Sequence, residues 1–257
     1  MKIMATQKIS AVSSTSADTA YPDDNILDEH PKKLWKAASG ISEATLTFTI
    51  GTGSAGIAIF NTNAVEITAS VTDANSIAWF ASDADWTSDA TWVAEDAALS
   101  EELFNLDGVS GSAWLEWPTS PVTVTAELTF RSESSVEVQA GVAVADMVHE
   151  FTCPQMGVRE SIHTYDIVKE LQNGAFYRKE RDKVRTFSFN FIEDRNPDFY
   201  TFMYEIAKEL GYKPAAWWLA DMDGYWWVAY ARFQKMPTGN HSMPANTVIN
   251  TQLIEVL

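Results

Sequence analysis

Few residues of this chain combine the type and the spacing that catalysis or metal binding requires. His149, Cys153 and His163 are candidate metal ligands, but their intervals are irregular, which favours ordinary loop residues. Ser161 and Asp166 flank His163 and complete the residue types of a catalytic triad. A triad depends on a spatial arrangement and an oxyanion site that sequence spacing does not supply. We therefore predict neither a metal centre nor a hydrolase at this segment.

Carboxylates occur in adjacent pairs and in one denser cluster. A glycosidase needs two carboxyl groups, but Glu101–Glu102 and Glu193–Asp194 are also what any acidic surface contains, and we interpret them as surface. A calcium loop beginning at Asp83 would need Gly at its sixth position and Glu at its twelfth, where Ser88 and Ala94 stand. Motifs for nucleotide, dinucleotide, serine-hydrolase and zinc-protease sites are absent as well. The sequence thus predicts a non-enzymatic protein without a cofactor.

The composition is that of a folded protein rich in aromatic residues. The 257 residues are 46% apolar and include 10 Trp, 13 Phe and 8 Tyr, which suits packed sheets and interfaces. The single cysteine, Cys153, excludes an internal disulfide. No stretch approaches the ~20 apolar residues of a membrane span, and the start has no apolar signal core. We expect a protein that is made without a secretion signal and does not insert into membranes.

The charge is distributed unevenly along the chain. Residues 1–150 contain 22 acidic and 6 basic residues, whereas residues 151–257 contain 13 and 12. The asymmetry indicates two domains. An acidic first half repels phosphate backbones, so we expect no nucleic-acid binding.

The first strand that the pattern predicts follows an ordered series of turn and anchor residues. Residues 1–19 are small and polar and predict a flexible arm or an edge strand. Asn25-Ile26-Leu27-Asp28, then Pro31 and Trp35, precede a Thr-rich strand at 45–50 that alternates apolar and polar residues. This order resembles the opening of discoidin-like, or galactose-binding-like, jelly-roll modules. It resembles more narrowly a group of tailed-bacteriophage structural proteins that begin with such a module.

Further alternating segments predict that residues 20–153 form an antiparallel jelly-roll β-sandwich. Residues 57–60 and 65–71 read as strands around a turn at 61–63, where Asn tolerates left-handed backbone angles. Residues 122–131 and 136–144 read as a hairpin around a turn at 132–135. No helix-length pattern lies between these segments, which favours a sandwich over a doubly wound sheet.

Residues 154–257 predict a smaller α+β domain with one main amphipathic helix. A strand at 183–192 places Phe187, Phe189 and Phe191 on one face. Asn196 and Gly211 bound a helical pattern whose apolar stripe should cover that Phe face. An Asp-Gly turn joins strands at 215–219 and 225–233, and residues 247–256 supply a last strand.

The hairpin and a basic run are the candidate subunit contacts of this second domain, with a solvated strand edge whose charges oppose aggregation as the alternative for the run. Each strand of the hairpin carries two adjacent Trp residues, so both of its faces are aromatic, and an exposed aromatic face indicates a partner. A segment like residues 181–187, followed by an aromatic helix and a Trp-bearing hairpin, also occurs in the resembling phage proteins. The candidate interface residues are Trp217, Trp218, Trp226, Trp227, Arg178, Arg181 and Arg185.

The favoured hypothesis is a non-enzymatic structural protein of a bacteriophage virion, made in the host cytoplasm and placed in the tail or tail tip. Its partners would be other tail proteins and copies of itself, in a homo-oligomer. The alternative is a carbohydrate-binding module that recognises a host surface glycan through loops at one end of the sandwich. In that case Trp35, Trp79, Trp86 and Trp92 are the residues that could stack on sugar rings, although a core position is the commoner use of Trp.

Overall fold

The computed structural model describes residues 1–74, 111–133, 136–154, 157–170, 176–179, 183–194, 197–220, 226–241 and 245–256. The chain divides into two compact units. The N-terminal unit comprises Lys2–His149, and the C-terminal unit comprises Glu150–Leu257 together with Met1. The division falls a few residues before Pro154, where the sequence pattern is interrupted.

The N-terminal unit is built from short antiparallel strands and one 3₁₀ helix, Asp23–Leu27. Two sheets have the orders β2-β4-β8-β6 and β10-β5-β7, and β3 pairs with β9. From β4 to β8, successive strands lie alternately in one sheet and then in the other, as in a jelly roll. The strands are β1 (Lys2–Met4), β2 (Ile9–Ser14), β3 (Trp35–Lys36), β4 (Glu43–Ile50), β5 (Gly56–Thr62), β6 (Glu66–Asp73), β7 (Gly111–Glu116), β8 (Val124–Arg131), β9 (Gln139–Ala140), β10 (Val142–Asp146) and β11 (His149–Glu150).

The period of two in the sequence determines which side chains enter the core between these sheets. Leu46, Phe48 and Ile50 of β4 are fully buried, while the intervening Thr residues are only half-buried. They belong to one apolar cluster with residues of both sheets, and Trp35 lies at its centre against Phe130, with 5.9 Å between the ring centroids. The predicted antiparallel jelly-roll sandwich is thereby confirmed.

The predicted pairings of neighbouring strands are wrong in this unit. The segments expected to form a hairpin around residues 132–135 lie in opposite sheets, because β8 pairs with β4 and β6 whereas β10 pairs with β5. The strands around residues 61–63 also lie in different sheets. The alternation of apolar and polar residues indicates which face of a strand is buried, but it does not indicate which strand pairs with it. An arch, in which the chain crosses from one sheet to the other, therefore has the same pattern as a hairpin. The first residues form strands rather than a flexible arm, and β2 is the edge of its sheet.

The arch at residues 61–63 is held by close polar contacts. Asn61 has a φ of 57°, and its Nδ2 donates a hydrogen bond of 2.5 Å to the carbonyl oxygen of Pro31. The amide of Gly141 donates to the carbonyl oxygen of Phe60 at 2.9 Å. A Cβ on Gly141 would stand 2.5 Å from the Pro31 oxygen and 2.7 Å from the Asn61 Cβ, so only glycine fits between them.

The C-terminal unit is an antiparallel sheet covered by one helix, α1. Its described strands are β12 (Arg159–Thr164), β13 (Ile167–Glu170), β14 (Phe176–Lys179), β15 (Lys183–Asp194), β16 (Ala215–Ala220), β17 (Trp226–Asn240) and β18 (Asn246–Glu255). Five of them follow the order β16-β17-β18-β15-β12, and β13 and β14 form a separate two-stranded ladder. Helix α1 runs continuously through Asp198–Tyr200, the π-helical Thr201–Ala207 and Lys208–Leu210.

Helix α1 packs on the predicted Phe face of β15. Phe191 and Phe202 are fully buried and meet edge to face, with 5.0 Å between their ring centroids. The helix ends at Gly211, whose φ is 55°. The α+β prediction with one main amphipathic helix is confirmed, although the sequence did not indicate the π-helical middle. Along the described residues, no helix is both long and apolar enough to span a membrane.

Replacing Gly141 tests the packing of the arch. We expect Gly141→Ala to lower the free energy of unfolding by about 1–3 kcal/mol, because the added Cβ overlaps the Pro31 oxygen and the Asn61 side chain. Chemical denaturation followed by Trp fluorescence measures the difference. Gly51→Ala is the matched control, since its Cβ would meet the Lys8 oxygen at 3.5 Å and the Lys8 Cβ at 3.9 Å, both ordinary contacts. Equal stability of the two variants would contradict the tight approach.

Candidate functional site

The opening motif of the N-terminal unit is used for structure rather than for ligand contact. Asn25 Nδ2 donates to the carbonyl oxygen of Leu34 at 2.9 Å, and Ile26 is fully buried. Trp35 is 0% exposed between the two sheets, so no face of its ring is open to a sugar. The assignment of Trp35 as a glycan-stacking residue is therefore wrong. The reason is that β3 lies over the sandwich core, a position that sequence spacing could not distinguish from a loop.

The described part of the N-terminal unit presents one exposed aromatic ring. Tyr21 is 38% exposed, and the Nζ of Lys36 lies 4.5 Å from its ring centroid. The other described aromatic side chains of the unit are buried, Trp114 and Trp117 among them. The candidates Trp79, Trp86 and Trp92 lie outside the described residues. So do the aspartates of the rejected calcium loop.

Ser161 and His163, which sequence spacing had suggested for a triad, contact other residues in the structure. The Ser161 hydroxyl shares a hydrogen bond of 2.6 Å with the Thr186 hydroxyl, and the His163 ring packs edge to face on Tyr165. Among the residues that the structure describes, no three His, Cys, Asp or Glu side chains are placed to hold a metal ion. Cys153 is an exposed free thiol.

A polar pocket of about 410 Å³ in the C-terminal unit contains the second predicted carboxylate pair. Glu193 and Asp194 do not form a surface pair, because successive residues of β15 point to opposite faces. Glu193 is 4% exposed, whereas Asp194 is exposed. The pocket is lined by Thr152, Cys153, Ile192, Glu193, Asp194, Asp198 and Asn246.

The carboxylate of Glu193 fastens the start of the C-terminal unit to β15. One carboxylate oxygen accepts hydrogen bonds from the Thr152 amide at 2.6 Å and from the Thr152 hydroxyl at 3.0 Å. The same hydroxyl donates to the carbonyl oxygen of Ile192 at 2.6 Å. Burial raises the pKa of Glu193, the bonds from Thr152 oppose this, and the charge of Asp198 adds to it. The hydrogen bonds of this carboxylate are therefore structural.

The open edge of the C-terminal sheet is its most distinctive surface. Strand β12 is the last strand in the described order and pairs on one side only, with β15. Every residue of β12 except His163 is exposed, so both faces of the strand meet solvent. Ile162 is 72% exposed, and the adjoining Tyr165 is 43% exposed. An edge strand without a cover presents its outward backbone groups to another chain.

A two-stranded arm follows this edge in the chain. In the arm β13 and β14 pair from Ile167 opposite Lys179 to Glu170 opposite Phe176. Arg178, one of the candidate interface residues, lies in β14 opposite Val168. Arg181 lies outside the described residues.

Arg185, the third basic candidate, makes its contacts within the unit. Its Nε and Nη2 bond the carboxylate of Glu255 in β18, with a shortest distance of 2.6 Å, and its Nη1 lies 3.9 Å from Glu160 in β12. Burial disfavours the charged form of the guanidinium, but the hydrogen bonds and the charge of Glu255 outweigh this effect. The pKa of Arg185 is therefore raised above its ordinary value. Its guanidinium therefore ties β12, β15 and β18 together instead of extending toward a partner.

The Trp hairpin is packed on both faces. Trp217 is 0% exposed, its Nε1 donates to the carbonyl oxygen of Ala231 at 2.9 Å, and its ring meets Phe233 edge to face at 5.4 Å. Trp218 lies on the opposite face of β16 and is half-buried, and Val228 across from it is buried. Trp227 lies opposite Leu219 and is also half-buried. The side chain of Trp226 is not among those that the structure describes.

Comparison with known proteins gives only distant structural similarity. No protein-family model matches the chain, and no curated protein matches it. A structure of chitosan-binding module 1 of a chitosanase/glucanase from Paenibacillus sp. IK-5 is 11% identical, covers 56% of this chain and 97% of that chain, and gives a TM-score of 0.35. The module CpGH89CBM32-4 of Clostridium perfringens, in complex with glcNAc-alpha-1,4-galactose, is 14% identical, covers 55% and 91%, and gives 0.36.

A family 89 glycoside hydrolase from Clostridium perfringens is 10% identical and gives a TM-score of 0.34. The similarity covers 53% of this chain but 14% of the hydrolase, so it concerns a small part of that enzyme. The jelly-roll assignment of the N-terminal unit rests on its strand order.

Replacing Glu193 tests the burial of its charge. A raised pKa in the folded protein means that the stability contributed by this group is fully present below its ordinary pKa of 4.5 and is lost as the pH rises through the folded value. We expect Glu193→Gln, whose side-chain oxygen still accepts from Thr152, to melt at a higher temperature than the wild type near neutral pH. The difference should shrink as the pH falls below 4.5.

Asp194→Asn is the control for this prediction, since it removes the same charge from an exposed position of the same strand. Differential scanning calorimetry across the pH range measures both variants. A Glu193→Gln variant that is less stable than the wild type at neutral pH would show that the charge itself is required.

Proposed function

We propose that this chain is a non-enzymatic structural component of a bacteriophage virion, in the tail or tail tip, and that it acts through assembly with copies of itself and with other tail proteins. The observation that carries the assembly role is the open edge at β12. This strand pairs on one side only in the described sheet and exposes both faces, including most of Ile162. Soluble monomers normally cover such an edge, because it is a template for pairing with another chain.

The charge distribution supports contacts between copies. The arm carries Lys169, Arg178 and Lys179, and the basic run continues at residue 181. Residues 1–150 carry 22 acidic and only 6 basic residues. Attraction between the arm of one copy and the acidic unit of another would steer their encounter and suppress wrong orientations.

The virion assignment rests on the sequence resemblance of residues 20–60 and 181–187 to structural proteins of tailed bacteriophages. In such an assembly many copies convert a modest interface between two subunits into a stable ring or lattice. The protein is then made in the host cytoplasm and incorporated into the particle.

We expect the purified full chain to form an oligomer of defined mass at micromolar concentration. Light scattering gives the mass, and negative-stain electron microscopy shows whether the copies close into a ring or a lattice. Raising the salt concentration should slow assembly by screening the arm charges without abolishing the backbone pairing. A protein that is monomeric at every accessible concentration would contradict the assembly role.

A second candidate function is glycan recognition by the N-terminal unit. The jelly-roll topology of this unit favours it, because such sandwiches carry exposed loops at both ends, and binding residues often lie on loops held by a rigid scaffold. The compared modules named for chitosan and for glcNAc-alpha-1,4-galactose have ligands of this class. Because Trp35 is buried, the remaining candidates for stacking on a sugar ring are Trp79, Trp86 and Trp92.

A glycan array probed with the full chain tests this second function. We expect retention that is lost in Trp79→Ala, Trp86→Ala or Trp92→Ala, because each indole offers a face for a sugar ring. Tyr21→Ala is the matched control, since that ring already contacts Lys36. If all four variants bind as the wild type does, these Trp residues are not the platform, and a chain that binds no glycan contradicts the function.

A further inference from the structure

We propose that the open edge of β12 pairs with the same strand of a second copy, antiparallel and around a two-fold axis that passes beside Ile162. This inference rests on the proposed assembly function and specifies its contact. It starts from the self-complementary order of the strand, Arg159-Glu160-Ser161-Ile162-His163-Thr164, followed by Tyr165. Such pairing would join the C-terminal sheets of two copies into one.

The symmetry limits the registers that are available. When a two-fold axis is perpendicular to a sheet, one residue of the edge strand lies opposite its own copy, and its neighbours pair symmetrically around it. Placing Ile162 opposite Ile162 of the second copy sets Ser161 opposite His163, Glu160 opposite Thr164 and Arg159 opposite Tyr165.

The side chains favour this register over its neighbours. Centring the pair on Ser161 would set the carboxylate of Glu160 opposite the apolar side chain of Ile162. Centring it on His163 would set Glu160 opposite Asp166, two carboxylates. Directly opposed like charges destabilise a sheet. The Ile162 register avoids both pairs and buries the most exposed apolar side chain of the strand, which is 72% exposed in the single chain.

The remaining pairs of this register are favourable. Arg159 meets Tyr165, a cation and an aromatic ring, and Glu160 meets the hydroxyl donor of Thr164. No pair of this register opposes two like charges, so the strand accepts an antiparallel copy of itself. A second copy of this chain is therefore the occupant that the chemistry of the edge fits.

Cysteine cross-linking tests the register directly. In a Cys153→Ser background, which removes the single native cysteine, we expect Ile162→Cys to form a disulfide-linked dimer under mild oxidation, because directly opposed residues have Cβ atoms about 4.5–5.5 Å apart. Thr164→Cys is the matched control: it is exposed on the same face of the strand. Its own copy would lie four residues away along the strand, roughly 13 Å, so it should not cross-link.

A charge substitution tests the same contact without a cross-linking reaction. We expect Ile162→Lys to weaken self-association at least ten-fold by light scattering while leaving the melting temperature of the dilute monomer unchanged, because the side chain is exposed in the single chain. Val65→Lys, at a 53% exposed position of the N-terminal unit, should leave association unchanged.

The outcomes separate this inference from the function on which it rests. An oligomer that Ile162→Lys leaves intact, or that cross-links as well through Thr164→Cys, overturns the two-fold pairing but not assembly. Cross-linking of Ile162→Cys only to a Val168→Cys copy would show that the arm occupies the edge, and the inference would be wrong. A wild type that is monomeric at all concentrations overturns both.

Discussion

The close approach of three backbone segments at Pro31, Asn61 and Gly141 is the constraint on which the N-terminal unit depends. The carbonyl oxygen of Pro31 accepts from the Asn61 side chain at 2.5 Å, and Asn61 takes a left-handed conformation at the register shift between Phe60 and Thr62, near the end of β5. Gly141 leaves room for both because it has no Cβ. With the loop before β3 fixed in this way, Trp35 is held in the core between the sheets. Trp35 itself pairs with Ala140 across β3 and β9 and packs against Phe130 in the core.

In the C-terminal unit, one buried and one half-buried ionisable group connect neighbouring segments. Glu193 binds the Thr152 amide and hydroxyl, and Arg185 binds Glu255. Removing a charged group from water is unfavourable, so each is kept only where several hydrogen bonds satisfy it. Both lie in β15, the strand that carries the Phe face under α1 and borders the open edge. The same strand therefore joins the aromatic core of the unit to its proposed contact surface.

Sequence patterns predicted what depends on local chemistry. The alternation in β4 and β15, the helix stripe ending at Gly211 and the left-handed tolerance of Asn61 all follow from one or a few neighbouring residues. Partner strands could not be predicted, because an arch and a hairpin have the same burial period. The burial of Trp35 and the internal ion pair of Arg185 could not be predicted either, because they depend on residues such as Phe130 and Glu255 that are distant in the sequence.

The basic run shows how the fold decides which charges are available to a partner. In sequence Arg178 and Arg185 belong to one cationic stretch, and nothing local distinguishes them. In the structure Arg178 lies on the arm, whereas Arg185 lies in β15 opposite Ile162 of β12 and is held by Glu255. The internal pair stiffens the strands behind the open edge, and a rigid edge loses less conformational entropy when another strand pairs with it. In the proposed assembly, Arg185 would act without touching the partner, by holding β12 in place for pairing.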